Sequence, residues 1–182
     1  PYITIGILGS GQLGRMLAMA AAQLGIKTHI FAPDANNSPA GEMASTATTA
    51  AYDDYAALDQ FAASVDVITS EFENVPSETM AHLAEFRPVS PGTKALRIAQ
   101  HRVREKNFAC QQGIPTPDFW HVTDAASLHH AMAQLQGRGV LKKCQLGYDG
   151  KGQIWIDPSD DFDASFVALG SDDAILEAAV DF

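Results

Sequence analysis

"GILGSGQLGRM", residues 6–16, sets Gly9, Gly11 and Gly14 in a G-x-G-x-x-G pattern between an apolar run and an Ala-rich run. Residues 2–8, YITIGIL, are apolar and largely β-branched, the composition of a buried parallel strand. Residues 15–24, RMLAMAAAQL, are strong helix formers, and Gly25 stands where such a helix ends. Strand, glycine turn and helix in that order begin a doubly wound α/β fold. The turn aims backbone N–H groups from a helix N-terminus, a setting that favours phosphate or carboxylate. Asp34 lies about twenty residues on, the spacing of an acidic reader of a dinucleotide ribose. Two features weaken an NAD reading. Pro33 puts Asp34 in a loop, and Gln12 brings a ligand-reading side chain into the turn. On this loop alone NAD, another anionic ligand and a purely structural turn all stay open.

The pattern continues outward as alternating elements. KTHIFAP (27–33) reads as a strand, 47–52 as a short third strand, 54–64 as a helix, and VDVITSEF (65–72) as another strand. A helix follows over 77–84, with Ser77 as its expected cap. SEFENVP (70–76) puts Glu71, Glu73 and Asn74 at a strand's C-terminal end, where open α/β sheets bind ligands. Strand alternation would send Glu71 and Glu73 to one side, ready to accept hydrogen bonds from an amine or ribose hydroxyls. The alternative is a solvated loop.

Near residue 93 the pattern changes, which divides the chain into 1–93 and 94–182. A long basic helix is expected over 93–112, carrying Lys94, Arg97, Arg102, Arg104 and Lys106. Strands are expected at 118–122, 139–144, 153–156 and 174–180, with helices after Asp124 and over 160–169. Trp120 and Trp155 read as strand core. "VLKKCQLGYDGKGQIWI" (140–156) is a strand, a glycine-rich loop and a returning strand, a hairpin whose tip can act as a flap. Its backbone N–H groups with Lys151 can close over a polyphosphate, and Lys142 can reach the same phosphates as a point charge. No G-K-[ST] precedes a helix, so this is not a Walker A loop. A hairpin tip with solvated lysines is the alternative. The last strand runs almost to Phe182 with nothing to close it, which reads as a fragment whose further domain is missing.

Composition limits the partners. The 182 residues are 46% hydrophobic with a net charge of −10, enough for a buried core and against a nucleic-acid binder. No apolar run approaches a membrane span, which takes about 18 residues. Cys110 and Cys144 form no C-x-x-C pair and read as reduced thiols of a cytoplasmic protein. His29, His82, His121, His129 and His130 show no metal-ligand spacing.

Taken together, GSGQLGRML, EFENVP and KKxxxGYDGKGQ, in this order along the whole chain, resemble the N5-carboxyaminoimidazole ribonucleotide synthetases of the ATP-grasp superfamily. The resemblance implies a pre-ATP-grasp substrate domain (1–93) and the first lobe of an ATP-grasp domain (94–182). The second lobe and the C-terminal domain would be absent. It implies an ATP-dependent carbon–nitrogen ligase of purine biosynthesis. There ATP and bicarbonate form carboxyphosphate, which delivers CO₂ to 5-aminoimidazole ribonucleotide and leaves ADP and phosphate. By the same resemblance Arg102 and Lys142 contact ATP. Gly147, Tyr148, Asp149, Gly150, Lys151, Gly152 and Gln153 form the flap, and Glu177, Ala178, Ala179 and Val180 read adenine. Gln12, Leu13, Glu73 and Asn74 would meet the ribonucleotide. Catalytic groups and Mg²⁺ ligands are expected mainly in the absent lobe, with no metal site in this chain. The full-length protein would be a cytoplasmic homodimer, and the fragment inactive alone. Leu146, His101 and Ser70 depart from the family's usual glycine, acidic and aromatic residues. An NAD-dependent oxidoreductase and a non-catalytic nucleotide-binding module are the alternative readings.

Overall fold

The structure is a computed structural model that describes residues 3–147 and 151–180. The chain forms two compact units, 1–97 and 98–182.

In the first unit, β1 (Thr4–Leu8), β2 (Lys27–Ala32), β3 (Thr46–Thr49) and β4 (Val67–Ser70) make a parallel sheet in the order β3-β2-β1-β4. Helices α1 (Gln12–Gln23) and α2 (Tyr55–Ala63) connect its strands, and α3 (Ser77–Ala84) follows β4. Successive strand residues face opposite ways. Phe31 therefore packs with Leu58, Phe61 and Met80, while Ile30 packs with Ile7, Ala35 and Ala40. Both faces of the sheet are covered, as the apolar runs of a doubly wound fold require. Asp54 caps α2 by accepting the Ala57 N–H. Ser77 is not a cap: the N-cap is Pro76, whose ring presets the entry, and the Ser77 hydroxyl donates to Glu78.

The second unit is antiparallel. Strands β5 (Phe119–Val122), β6 (Gly139–Lys143), β7 (Gln153–Ile156) and β8 (Ala174–Ala178) take the order β5-β8-β6-β7. Helices α6 (Ala125–Leu135) and α7 (Phe162–Leu169) supply Leu128, Ala131, Met132 and Leu169 to a core shared with Leu141, Ile156 and Leu176. This sheet has a core of its own. β6 and β7 form the expected hairpin, Leu141 opposite Ile154.

The long helix expected over 93–112 is two helices, α4 (Thr93–Ala99) and α5 (Arg102–Gln111). The break has a physical cause. His101 is extended (φ −138°, ψ 111°), its imidazole bonds Asp173, and the Arg102 N–H bonds the Cys144 carbonyl at 3.0 Å. Tertiary partners replace the helical ones. Trp155 also departs from expectation: it is 50% exposed, under the Arg138 guanidinium, which lies 4.6 Å from its ring. Trp120 is only partly buried and its indole N–H donates to Gln134.

Candidate functional site

A cleft of about 250 Å³ in the second unit is lined by Pro117, Val140, Lys142, Gln153, Trp155, Glu177, Ala178, Ala179 and Val180. Strand pairing assembles it. Lys142 on β6 pairs with Gln153 on β7, and Val140 with Glu177 on β8. At its charged end the Lys142 Nζ donates to Glu177 Oε2 at 2.8 Å, and Lys106 Nζ lies 3.8 Å from the same oxygen. Glu177 is 8% exposed, so two ammonium groups stand beside a buried carboxylate. The N–H groups of Ala178 and Ala179 bond the carbonyls of Asp118 and Arg138, fixing the strand end.

The root of the second glycine loop is tied down. The Arg102 guanidinium donates to the carbonyls of Lys143 (3.2 Å) and Gly147 (2.9 Å), and the Lys143 N–H bonds Gly152 O at 2.9 Å. Gly152 takes the left-handed conformation (φ +73°), as does Leu146 (φ +58°). Tyr148, Asp149 and Gly150 lie outside the described residues.

The first glycine loop sits at the C-terminal edge of the parallel sheet. Gly11 is the N-cap of α1 and carries no side-chain cap. Instead its N–H donates to Glu71 Oε1 at 2.7 Å. β4 ends at Ser70, so the expected alternation does not reach Glu71 and Glu73. Glu71 turns into the glycine loop while Glu73 is exposed and Asn74 half-buried in the turn that follows. Gln12 and Leu13 begin α1 and are exposed, on the loop that follows β1, the strand beside β4. Asp34 accepts the Ser10 hydroxyl. Tyr52 is pushed up to about 12 by burial and then by the charges of Glu71 and Asp34.

Comparison with known proteins bears on both units. A family model of the ribonucleotide synthetase pre-ATP-grasp domain matches residues 2–100, and one of the ATP-grasp domain matches 107–182. The chain belongs to the ribonucleotide synthetase pre-ATP-grasp family. It is 48% identical to the N5-carboxyaminoimidazole ribonucleotide synthase of Brucella melitensis biotype 1, over 100% of this chain and 51% of that protein. It is 46% identical to the synthase of that name from Pseudomonas aeruginosa, over 98% and 49% of the two chains. A solved ADP complex of N5-carboxyaminoimidazole ribonucleotide synthetase superposes with a TM-score of 0.93 at 37% identity, covering 100% of this chain and 48% of that one. The synthase of Aspergillus clavatus in complex with ADP and 5-aminoimidazole ribonucleotide gives 0.86 at 26%, covering 100% and 47%. The chain spans about half the length of the curated relatives it matches.

In this pre-ATP-grasp family member, sequence reasoning missed two residues at the cleft. Lys106 stands four after Arg102, on the same face of α5, and Trp155 two after Gln153, on the same face of β7. The Trp155 spacing was an available signal, whereas Lys106 was one charge among several on a basic helix. It also missed a polar cluster behind the loop root. Asp173 accepts from His121 Nε2 at 2.8 Å and His101 Nε2 at 3.1 Å, and the Cys144 thiol donates to it. Burial raises the Asp173 carboxyl, but the hydrogen bonds from His121 and Cys144 and the nearby His101 hold it below its ordinary value. Cys144, 1% exposed, is pushed up to about 12 by burial and by Asp173. The donor atoms of His101, Cys144 and Asp173 lie within 4.8 Å of one another. The carboxylate already takes three hydrogen bonds there, which makes the cluster a brace between the start of α5 and the strands beside it.

Proposed function

We propose that this chain is the ribonucleotide-recognising and ATP-lid half of an enzyme that carboxylates 5-aminoimidazole ribonucleotide. ATP and bicarbonate would be consumed and N5-carboxyaminoimidazole ribonucleotide, ADP and phosphate formed. The observation that carries the reading is the Lys142–Glu177 pair in a cleft bounded by residues 177–180 and by both strands of the glycine hairpin. In this reading the base lies along Glu177, Ala178, Ala179 and Val180. Lys142 stabilises charge on the transferring phosphoryl group. Arg102 sets the root of the flap formed by residues 147–153, and Lys151 reaches the phosphates from it. At about 250 Å³ the cleft falls short of complete ligand pockets, which run roughly 300–1,000 Å³, as suits one wall of a nucleotide site. Gln12, Leu13, Glu73 and Asn74 would contact the ribonucleotide at the sheet edge of the first unit. Among the described residues Glu177 is the sole carboxylate lining the cleft, and it is held by Lys142 and Lys106, so these residues do not fit a Mg²⁺ site. The complete enzyme would work as a cytoplasmic homodimer. Among the described residues no helix is long and apolar enough to cross a membrane.

The test separates this reading from the NAD one. Calorimetric titration of the chain should show ATP binding and no NADH binding, with bicarbonate- and ribonucleotide-dependent ADP release only when the other half of the enzyme is supplied. Tight NADH binding without ATP binding would overturn it.

A further inference from the structure

We propose that Glu71 is a built-in anion that determines the specificity of the first glycine loop: its carboxylate holds the seat a pyrophosphate would need, so the loop meets its ligand through neutral or cationic groups. A glycine turn at a helix start is an anion seat, because unpaired N–H groups and the helix dipole converge there. α1 has neither a side-chain cap nor an acidic residue in its first turn. Glu71, sixty residues away, supplies the missing charge at 2.7 Å from the Gly11 N–H.

The same side chain takes the space beside all three glycines. A Cβ on Gly9, Gly11 or Gly14 would lie 2.6, 3.3 or 3.1 Å from an atom of Glu71. In a dinucleotide turn the missing side chains let the backbone approach pyrophosphate. Here they let it approach a carboxylate of its own chain. Asp34 does not leave the loop either, since it accepts the Ser10 hydroxyl. Burial first, and then the charges of Glu71 and Asp34, push the Tyr52 hydroxyl up. A phosphate entering this loop would have to displace one carboxylate and face another. An amine or a hydroxyl could instead donate to these carboxylates.

The inference goes beyond the ribonucleotide reading and does not depend on it, because the probe is inorganic pyrophosphate. The ¹⁵N-labelled 182-residue chain is titrated with pyrophosphate while backbone amide shifts are followed. In the unmodified chain the amides of Gly11, Gln12 and Leu13 should stay still. In Glu71→Ala they should shift saturably, with a Kd at least tenfold tighter than any shift in the unmodified chain. Glu71→Gln keeps the shape and an acceptor for Gly11 but loses the charge, and should gain at least threefold. If the alanine variant fails to fold, the glutamine variant decides alone. A merely structural Glu71 would lower stability without this gain. Saturable shifts of the loop amides in the unmodified chain, or no gain in a folded variant, would overturn the proposal.

Discussion

In the first glycine loop the glycines make room for a carboxylate, and in the second Gly147 and Gly152 lie beside the cationic side chains of Arg102 and Lys143. A Cβ at Gly9 would meet Glu71 Oε1 at 2.6 Å, whereas one at Gly147 would meet Arg102 Nη2 and Lys151 O at 3.4 Å, ordinary contact. Their electrostatics are opposite. Glu71 and Asp34 turn into the first loop. At the second, Arg102 grips the root and Lys142 stands on the strand that leads into it. Glycine spacing therefore says only that something approaches the backbone closely. The charges brought in by neighbouring elements decide what approaches.

The largest expected effect is steric. Gly9 combines φ +108° with the Glu71 contact, so Gly9→Ala should cost about 3–4 kcal/mol by urea unfolding, from backbone strain plus overpacking. Gly147→Ala should cost under about 1 kcal/mol. Similar losses at the two positions would erase the contrast.

Next comes the charged end of the cleft. Lys142→Ala removes the 2.8 Å partner of Glu177, and ATP affinity should fall roughly 10- to 100-fold, about 1.4–2.8 kcal/mol. In the complete enzyme this appears as a raised KM for ATP, a lowered kcat, or both. Unchanged ATP binding would remove Lys142 from the site.

The field of the first loop is read at Tyr52. Its folded pKa, about 12, lies above the ordinary 10, so the stability it contributes is fully present below pH 10 and is lost as pH rises towards 12. Thermal unfolding in alkali should show that loss, and Glu71→Gln should shrink it by removing one of the charges. An unaltered alkaline profile in Glu71→Gln would show that the carboxylate does not act on this hydroxyl.

The smallest effect is at Leu146, exposed and left-handed (φ +58°). Leu146→Gly removes a steric penalty of roughly 1–2 kcal/mol but adds freedom to the unfolded chain, about 0.4–1 kcal/mol. The net change should stay within about 1 kcal/mol of zero, measured by chemical unfolding. A loss of more than about 2 kcal/mol would show that the side chain packs in the loop.

Much of this was legible in the residues. Alternating apolar runs and glycine stops located the strands of both sheets, and the glycine–lysine hairpin marked the cleft that Lys142, Gln153 and residues 177–180 line. The long helix was misread because helix propensity continues through His101, while the Arg102 N–H bonds the Cys144 carbonyl and the His101 ring bonds Asp173. Trp155 was read as core from its strand position, yet that face of the outer strand β7 borders the cleft. Lys106 was visible only as one charge among several until β8 brought Glu177 beside it.

The order of elements, the two glycine turns and the basic strand follow from the sequence by itself, because periodicity, glycine conformation and charge pattern act over a few residues. Only the tertiary structure decided that Glu71 fills the first turn and that His101 breaks a helix. The partners in those contacts lie 60 and 72 residues apart. No local pattern encodes which carboxylate will reach an unpaired N–H; the strand order that brings β4 beside β1 does.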